Sequence, residues 1–167
     1  SEIGILYVND FNKKVIYKFL EEGNLIFHQL FEASPHVFIS AKNPLAKQDF
    51  VTLSDLMPYP YLSFEQGDYN SFYFSEEILS TISRPKNITV SDRATLFNLL
   101  IGLNGYTIST GVISHKLNSK EIVAVPLLVD ERITVGYITH KNVKNSPLAN
   151  IYIEYLKASI EEEQNKI

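Results

Sequence analysis

The sequence predicts an α/β protein built on a largely parallel sheet. Three observations carry that expectation. Runs of β-branched and aromatic residues alternate with segments of helical periodicity along most of the chain. At 167 residues, 45% apolar and 20% charged, the chain is long enough for one domain or two small lobes with a sizeable core. The most apolar run, residues 96–103, is broken by Asn98 and Gly102 and falls short of the ~18 residues that a membrane helix needs. A soluble protein with no membrane partner is therefore expected.

The first element is a strand over residues 3–8, dense in apolar side chains and closed by turn chemistry at Asn9-Asp10. A buried strand at the very start, headed by Ser rather than Met and lacking the marks of a signal peptide, favours an amino-terminal cut. A helix follows over residues 13–20, with Val15, Ile16, Phe19 and Leu20 at helical spacing and Glu21 to Asn24 ending it. Leu25, Phe27, Leu30 and Phe31 read as a strand, and after Ser34-Pro35 residues 36–40 read as another. Two strands in succession across so short a turn suggest that the chain crosses here from one body to a second.

Asn43-Pro44-Leu45-Ala46 is a turn, and Thr52 caps a short helix whose Asp55 suits the positive end of the helix dipole. Residues 61–64 form a strand, and a helix is expected over residues 71–83, with Phe74, Ile78, Leu79 and Ile82 on one face and Pro85 beyond its end. Strand 88–90 runs directly into Ser91-Asp92 and a helix that turns Leu96, Phe97, Leu100 and Leu103 inward, ended by Asn104-Gly105. Three strands come next, over residues 106–109, 122–127 and 133–139. Ser146 as cap and Pro147 at the first position open a closing helix, apolar at Leu148, Ile151, Tyr152, Tyr155 and Leu156.

Composition and motifs exclude much chemistry. A net charge of −4 repels phosphate, so this chain by itself is a poor nucleic-acid binder. With no Cys there is no disulfide, no thiolate metal site and no cysteine nucleophile. His28, His36, His115 and His140 lack the paired spacing of a metal site, so no metal and no cofactor is expected. The glycines at 102, 105 and 111 match neither a dinucleotide fingerprint nor a P-loop, and no serine sits between glycines as in a hydrolase elbow. Acidic pairs at 21–22, 76–77 and 130–131 are joined by nothing in the sequence across a cleft. The expectation is a protein that is not an enzyme.

Ligands of α/β sheets bind beyond the carboxyl ends of the strands, which directs attention to two segments. At Val90-Ser91-Asp92 the first turn of the following helix offers free amides to an anion, with the Ser91 hydroxyl beside them; equally, Ser91 or Asp92 is a plain helix cap. The second segment, residues 61–68, ends a strand in Phe64, Glu65 and further polar groups, a composition shared by ligand-lining segments and ordinary surface loops.

Several segments together resemble the effector-binding domain of LysR-type transcriptional regulators. Residues 36–46, reading HVFISAKNPLA, are similar to the family's hinge strand and its His-Pro-Leu-Ala turn, with Asn43 where His is common. Residues 51–56 and Pro60-Tyr61-Leu62 match the short helix and strand that follow. Ser91-Asp92 and the helix-turn-strand over residues 99–108 are a further match, and the return strand and closing helix also fit.

The resemblance implies a two-lobed fold of the type 2 periplasmic-binding-protein kind. Residues 1–35 would be a partial first lobe, 36–135 the second, and 136–167 the return to the first with its carboxy-terminal helix. It implies a small-molecule effector, an anion being one candidate, held between the lobes with Ser40 and Ser91 at matching positions; position at strand ends adds Asp92, Phe64, Glu65 and Asn9 as candidates. It also implies a cytoplasmic protein that forms a homodimer or higher oligomer, for which Phe72, Tyr73 or Phe74 would serve, and that reaches DNA only through a helix-turn-helix domain absent from this chain. A solute-binding protein for uptake is the alternative, because the same fold serves both.

Overall fold

In a computed structural model, residues 1–65, 73, 78, 79, 82–112 and 120–164 are described. The chain runs β1 (Gly4–Val8), α1 (Lys13–Glu22), β2 (Leu25–Ala33), β3 (His36–Ser40), a 3-10 turn (Pro44–Lys47), α2 (Leu53–Leu56), β4 (Tyr61–Phe64), β5 (Asn87–Val90), α3 (Arg93–Gly102), β6 (Tyr106–Ser109), β7 (Ile122–Pro126), β8 (Ile133–His140) and α4 (Pro147–Gln164). The helix expected over residues 71–83, with Phe72 and Phe74, falls almost wholly outside the described residues, as does His115. Two units emerge: Ser1–Ala33 with Arg132–Ile167, and Ser34–Glu131.

The first unit is a three-stranded sheet of order β1-β8-β2, with β8 antiparallel to both neighbours. Helix α1 sets Ile16 and Leu20 against Val8, with Leu6, Leu25, Phe27 and Ile138 packed around them. Of the four apolar residues at helical spacing on α1, Phe19 is half exposed. The narrower buried stripe is enough because α1 covers only three strands. A register shift between Gln29 and Phe31 bends β2 opposite Gly136. A Cβ at Gly136 would lie 2.3 Å from Phe27 Cζ and 2.5 Å from the His28 carbonyl oxygen, so the strands can approach this closely only over a glycine.

Helix α4 leaves most of its apolar positions in water. Its buried residues are Ala149 and Ile153, whereas Leu148, Ile151, Tyr152 and Tyr155 are 76%, 52%, 51% and 72% exposed. A helix carrying apolar residues around most of its circumference leaves periodicity unable to say which arc is covered. The start of α4 does follow its sequence: the Ser146 hydroxyl accepts the Ala149 N–H at 3.1 Å, and Ser146 in turn donates to the Glu2 carboxylate.

The second unit is a five-stranded sheet of order β5-β4-β6-β3-β7. Helix α3 lays Leu96 and Leu100 on Phe38, Leu62, Val90 and Ile122 from one face of that sheet. The expectation of a largely parallel sheet is corrected here. Among the described strands only the β4–β5 and β4–β6 pairs are parallel, beside an isolated parallel bridge between Val51 and Leu127, and the described strands of the first unit form no parallel pair. Parallel neighbours need a crossover connection, and among the described residues the helical one seen is α3, which links β5 to β6. β3 and β8, which follow directly on passages between units, pair antiparallel with each of their neighbours.

One buried side chain ties the turn after β3 to the end of α3. Asn43, 1% exposed, accepts the Leu45 N–H at 2.8 Å and donates from Nδ2 to Asn104 Oδ1 at 2.9 Å. Asn104 stands at φ 53°, in the left-handed region that asparagine tolerates better than most residues. The same capping logic holds at α2, where Thr52 and Asp55 form a reciprocal capping box. Replacing Asn43 by Ala leaves the buried Leu45 amide without its acceptor. The expected cost is about 1–3 kcal/mol, read as a Tm lower by roughly 2–4 °C per kcal/mol in thermal unfolding followed by circular dichroism.

Candidate functional site

Strand direction decides which residues meet. β4, β5 and β6 point the same way, with Tyr61 level with Asn87 and Tyr106, and Phe64 level with Val90. β3 points the other way, His36 standing opposite Ser109 and Ile39 opposite Tyr106. One end of the sheet in the second unit therefore carries His36, Phe64-Glu65, Val90-Ser91-Asp92 and Ser109-Thr110. It is also the end at which the chain enters at Ser34 and from which it departs after Pro126, the partner of His36 in β7. The carboxyl ends of the parallel strands lie here, where ligands of such sheets bind.

Phe64, Glu65, Ser91 and Asp92 are thus brought to one end, and Ser40 is not. Ser40 closes β3 one residue beyond the level of Tyr61, roughly 13 Å from that end along strands that rise ~3.3 Å per residue. It is buried, and its hydroxyl accepts the Lys42 N–H at 3.3 Å. Asn9 belongs to the first unit, just past Val8, which pairs with Thr134. Ala33 and Ile133 pair at the same level, so Asn9 marks the end of that sheet where the chain departs and returns. There Asn9 and Asn12 exchange backbone-to-side-chain hydrogen bonds of 2.8 and 2.9 Å, and Asn12 Nδ2 donates to the Tyr7 carbonyl at 2.9 Å.

The Ser91-Asp92 step resolves as a cap supplied by Asp92. Its carboxylate accepts the Thr95 N–H at 2.9 Å and the Thr95 hydroxyl at 2.6 Å. The Thr95 hydroxyl, then the Thr95 amide, hold the Asp92 carboxyl below the usual carboxylate range, so it is ionised at neutral pH. A carboxylate from the chain itself thus occupies the positive end of α3, and Ser91, one residue earlier, is exposed. The Arg93 guanidinium lies over the Phe97 ring, 4.9 Å from its centre. Beside this step, the Glu65 N–H donates to the Val90 carbonyl at 2.8 Å and fixes where the chain turns off β4.

Two residues at this end escape sequence reasoning. His36 Nδ1 donates to the Ser34 carbonyl at 2.8 Å. Gly111, at φ 81°, lies against that ring so closely that a Cβ would stand 2.5 Å from Nδ1. The direction of β3 relative to β6 would have found both, and periodicity does not report direction. At the far end of the sheet Arg84 stacks 3.8 Å over the Tyr61 ring and donates to the Tyr106 hydroxyl and the carbonyls of Ile82 and Leu79. Burial pushes the Tyr106 hydroxyl above its ordinary pKa, against the lowering pull of Arg84. With its donors engaged in this way, Arg84 braces the sheet.

A cavity of about 390 Å³ opens in the first unit beside Glu2, Ile3, Leu25, Ile138, His140 and Lys144, and none of the expected site residues lines it. Among the described residues no three His, Asp or Glu side chains converge to hold a metal ion, and no helix is long and apolar enough to cross a membrane.

Comparison with known proteins places these geometries. The family model described as the LysR substrate binding domain matches residues 15–161. No curated protein sequence matches the chain significantly. Among solved structures it is similar to HinK, a LysR family transcriptional regulator from Pseudomonas aeruginosa, at 12% identity and a TM-score of 0.61, over 95% of this chain and 52% of that one. It is also similar to the effector binding domain of QuiR in complex with shikimate, at 18% identity and a TM-score of 0.58, over 96% of this chain and 72% of the other. The BenM effector binding domain with its effector benzoate matches at 19% identity and a TM-score of 0.57, over 81% and 69%. At such identities the likeness shows the fold, a two-lobed α/β architecture of the periplasmic-binding-protein type. The chain spans about half the length of the full-length regulators it matches.

The cap at α3 yields a pH signature. Since the folded pKa of Asp92 is depressed, its stabilising contribution is present above the unfolded value of about 3.9 and is lost as pH falls through the folded one. An Asp92→Ala variant is expected to melt a few degrees below the wild type at pH 7, with the gap narrowing as pH is lowered below about 4. Paired thermal melts across that range check it.

Proposed function

Because the chain belongs to the LysR substrate-binding domain family, we propose that it is the ligand-sensing part of a LysR-type transcriptional regulator and not a solute carrier for uptake. The match over residues 15–161 is the observation that carries this reading. A small-molecule effector is taken up at the sheet end of the second unit that bears Phe64, Glu65, Ser91 and Asp92. Ser40, remote along β3, contributes to packing and not to contact with the effector.

The domain acts by binding. An effector that prefers one arrangement of the protein shifts the population toward it, by no more than its difference in affinity for the two. In the whole regulator the shift is read by a helix-turn-helix domain that contacts DNA, in the cytoplasm and as an oligomer. The neighbours' named ligands, shikimate and benzoate, are both carboxylates. In this chain the Asp92 carboxylate already holds the first turn of α3, so an effector presents hydroxyl or amine groups to Ser91 and Glu65 there, and places any anionic group elsewhere.

A thermal-shift titration tests the proposal, with shikimate and benzoate set against uncharged polyols and amines. A saturable rise in Tm is expected for at least one probe, since a ligand of the folded state stabilises it by mass action. Ser91→Ala is expected to weaken that probe several-fold, as loss of one hydrogen bond of about 1 kcal/mol would, while Ser40→Ala leaves its affinity unchanged once corrected for stability. An effect of Ser40→Ala as large as that of Ser91→Ala overturns the placement of the site. A probe that shifts the Tm equally in wild type and both variants would do the same.

A further inference from the structure

We infer that the cavity in the first unit is a binding site of its own, for a small monocarboxylate with a short apolar body. It lies where three strands begin or end. Gly4 at the start of β1 stands opposite Ile138, and Leu25 at the start of β2 stands opposite His140 at the end of β8. Beyond His140 the chain turns back through Val143 and Lys144 to enter α4, and that turn is held at both ends. The Lys141 N–H donates to the Asn24 carbonyl at 2.8 Å. Ser146 donates its N–H and its hydroxyl to the Glu2 carboxylate at 3.2 and 2.7 Å. Strand ends and turn thus border about 390 Å³, at the small end of the range for ligand pockets, between walls already fixed by the protein's own hydrogen bonds.

The lining selects the ligand. Ile3, Leu25, Ile138 and Val143 supply apolar surface, and Val143, 59% exposed, is accessible from solvent. Lys144 also lines the cavity and forms no ion pair or hydrogen bond among the described residues. The Asn142 N–H donates to His140 Nδ1 at 3.2 Å, and since an amide can only donate, the ring proton of His140 is on Nε2, a second donor. The acidic group of the lining is already matched: both oxygens of Glu2 are taken by Ser146 at the start of α4, where the helix dipole favours a carboxylate. What is left is an ammonium and a ring N–H, which suit the two oxygens of a carboxylate, beside apolar surface that suits a short alkyl body. Glu65, Ser91 and Asp92 belong to the other unit, so this site stands or falls independently of the effector site proposed above.

Octanoate is the probe, with octanol as its uncharged counterpart. Titrated into the isotope-labelled chain and followed by heteronuclear NMR, octanoate is expected to give saturable shifts at the amides of Ile3, Gly4, Leu25 and His140, with a Kd on the order of 1 mM. Octanol should bind several-fold more weakly. Lys144→Met should weaken octanoate about five- to tenfold, as loss of one charge-assisted hydrogen bond would, and leave octanol unchanged. Val143→Trp, a change at an exposed position, should block both probes while the rest of the spectrum keeps its wild-type dispersion. No saturable shift at concentrations about tenfold above that Kd overturns the inference. So do shifts centred on residues 64–92, octanol bound as tightly as octanoate, a Lys144→Met chain that binds octanoate as the wild type does, or a folded Val143→Trp chain that still binds either probe.

Discussion

The chain passes from the first unit to the second at Ala33-Ser34 and back at Glu131-Arg132, and the direction of each neighbouring strand follows from these two passages. β3 must run away from the first passage, and β7 must come back toward the second, so the two pair antiparallel. β8 enters the first unit from the same side and lies antiparallel to β1 and β2. What stands at either end of each sheet is then settled. The polar ends of β4 and β5 share an end with the passages, and the Arg84 brace with Tyr61 and Tyr106 stands at the other.

Much of this was legible in the sequence because local chemistry fixes it. Thr52 with Asp55, Ser146 before Pro147, and the Asn104-Gly105 stop after α3 satisfy backbone groups within a few residues, and such signals depend on no distant partner. The alternation of elements was legible for the same reason. So was the likeness of residues 36–62 to one family, since a turn such as Asn43-Pro44-Leu45-Ala46 has its own local geometry.

What sequence could not supply was anything set by pairing between remote strands. Ser40 and Ser91 both end strands beside polar residues, and only the opposite directions of β3 and β5 separate them. The parallel character of the sheet was overstated on the same account, because alternation of strand and helix does not say which connections cross over. Helix α4 shows a third limit. A helix with apolar residues on nearly every arc has no single inward face to read, and its covered arc depends on how much sheet lies beneath it. The competition at the start of α3 was foreseeable in kind but not in outcome. Ser91 and Asp92 can each cap a helix, and the geometry of Thr95, which offers both an amide and a hydroxyl, favours the carboxylate.

The central place of β8 bears on the order in which the molecule is made. β1 and β2 do not pair with each other; each is joined to the sheet through β8, which begins about a hundred residues after β2 ends. During synthesis β1 and β2 therefore lack the strand that joins them until the strand after Arg132 has emerged, whereas the second unit is continuous in sequence and has its strands in hand sooner. The loop closed by β8 is long, and its closure entropy is met before the contacts that offset it form. The second unit is thereby the natural early-folding body, and the first is completed last, by its own carboxy-terminal half.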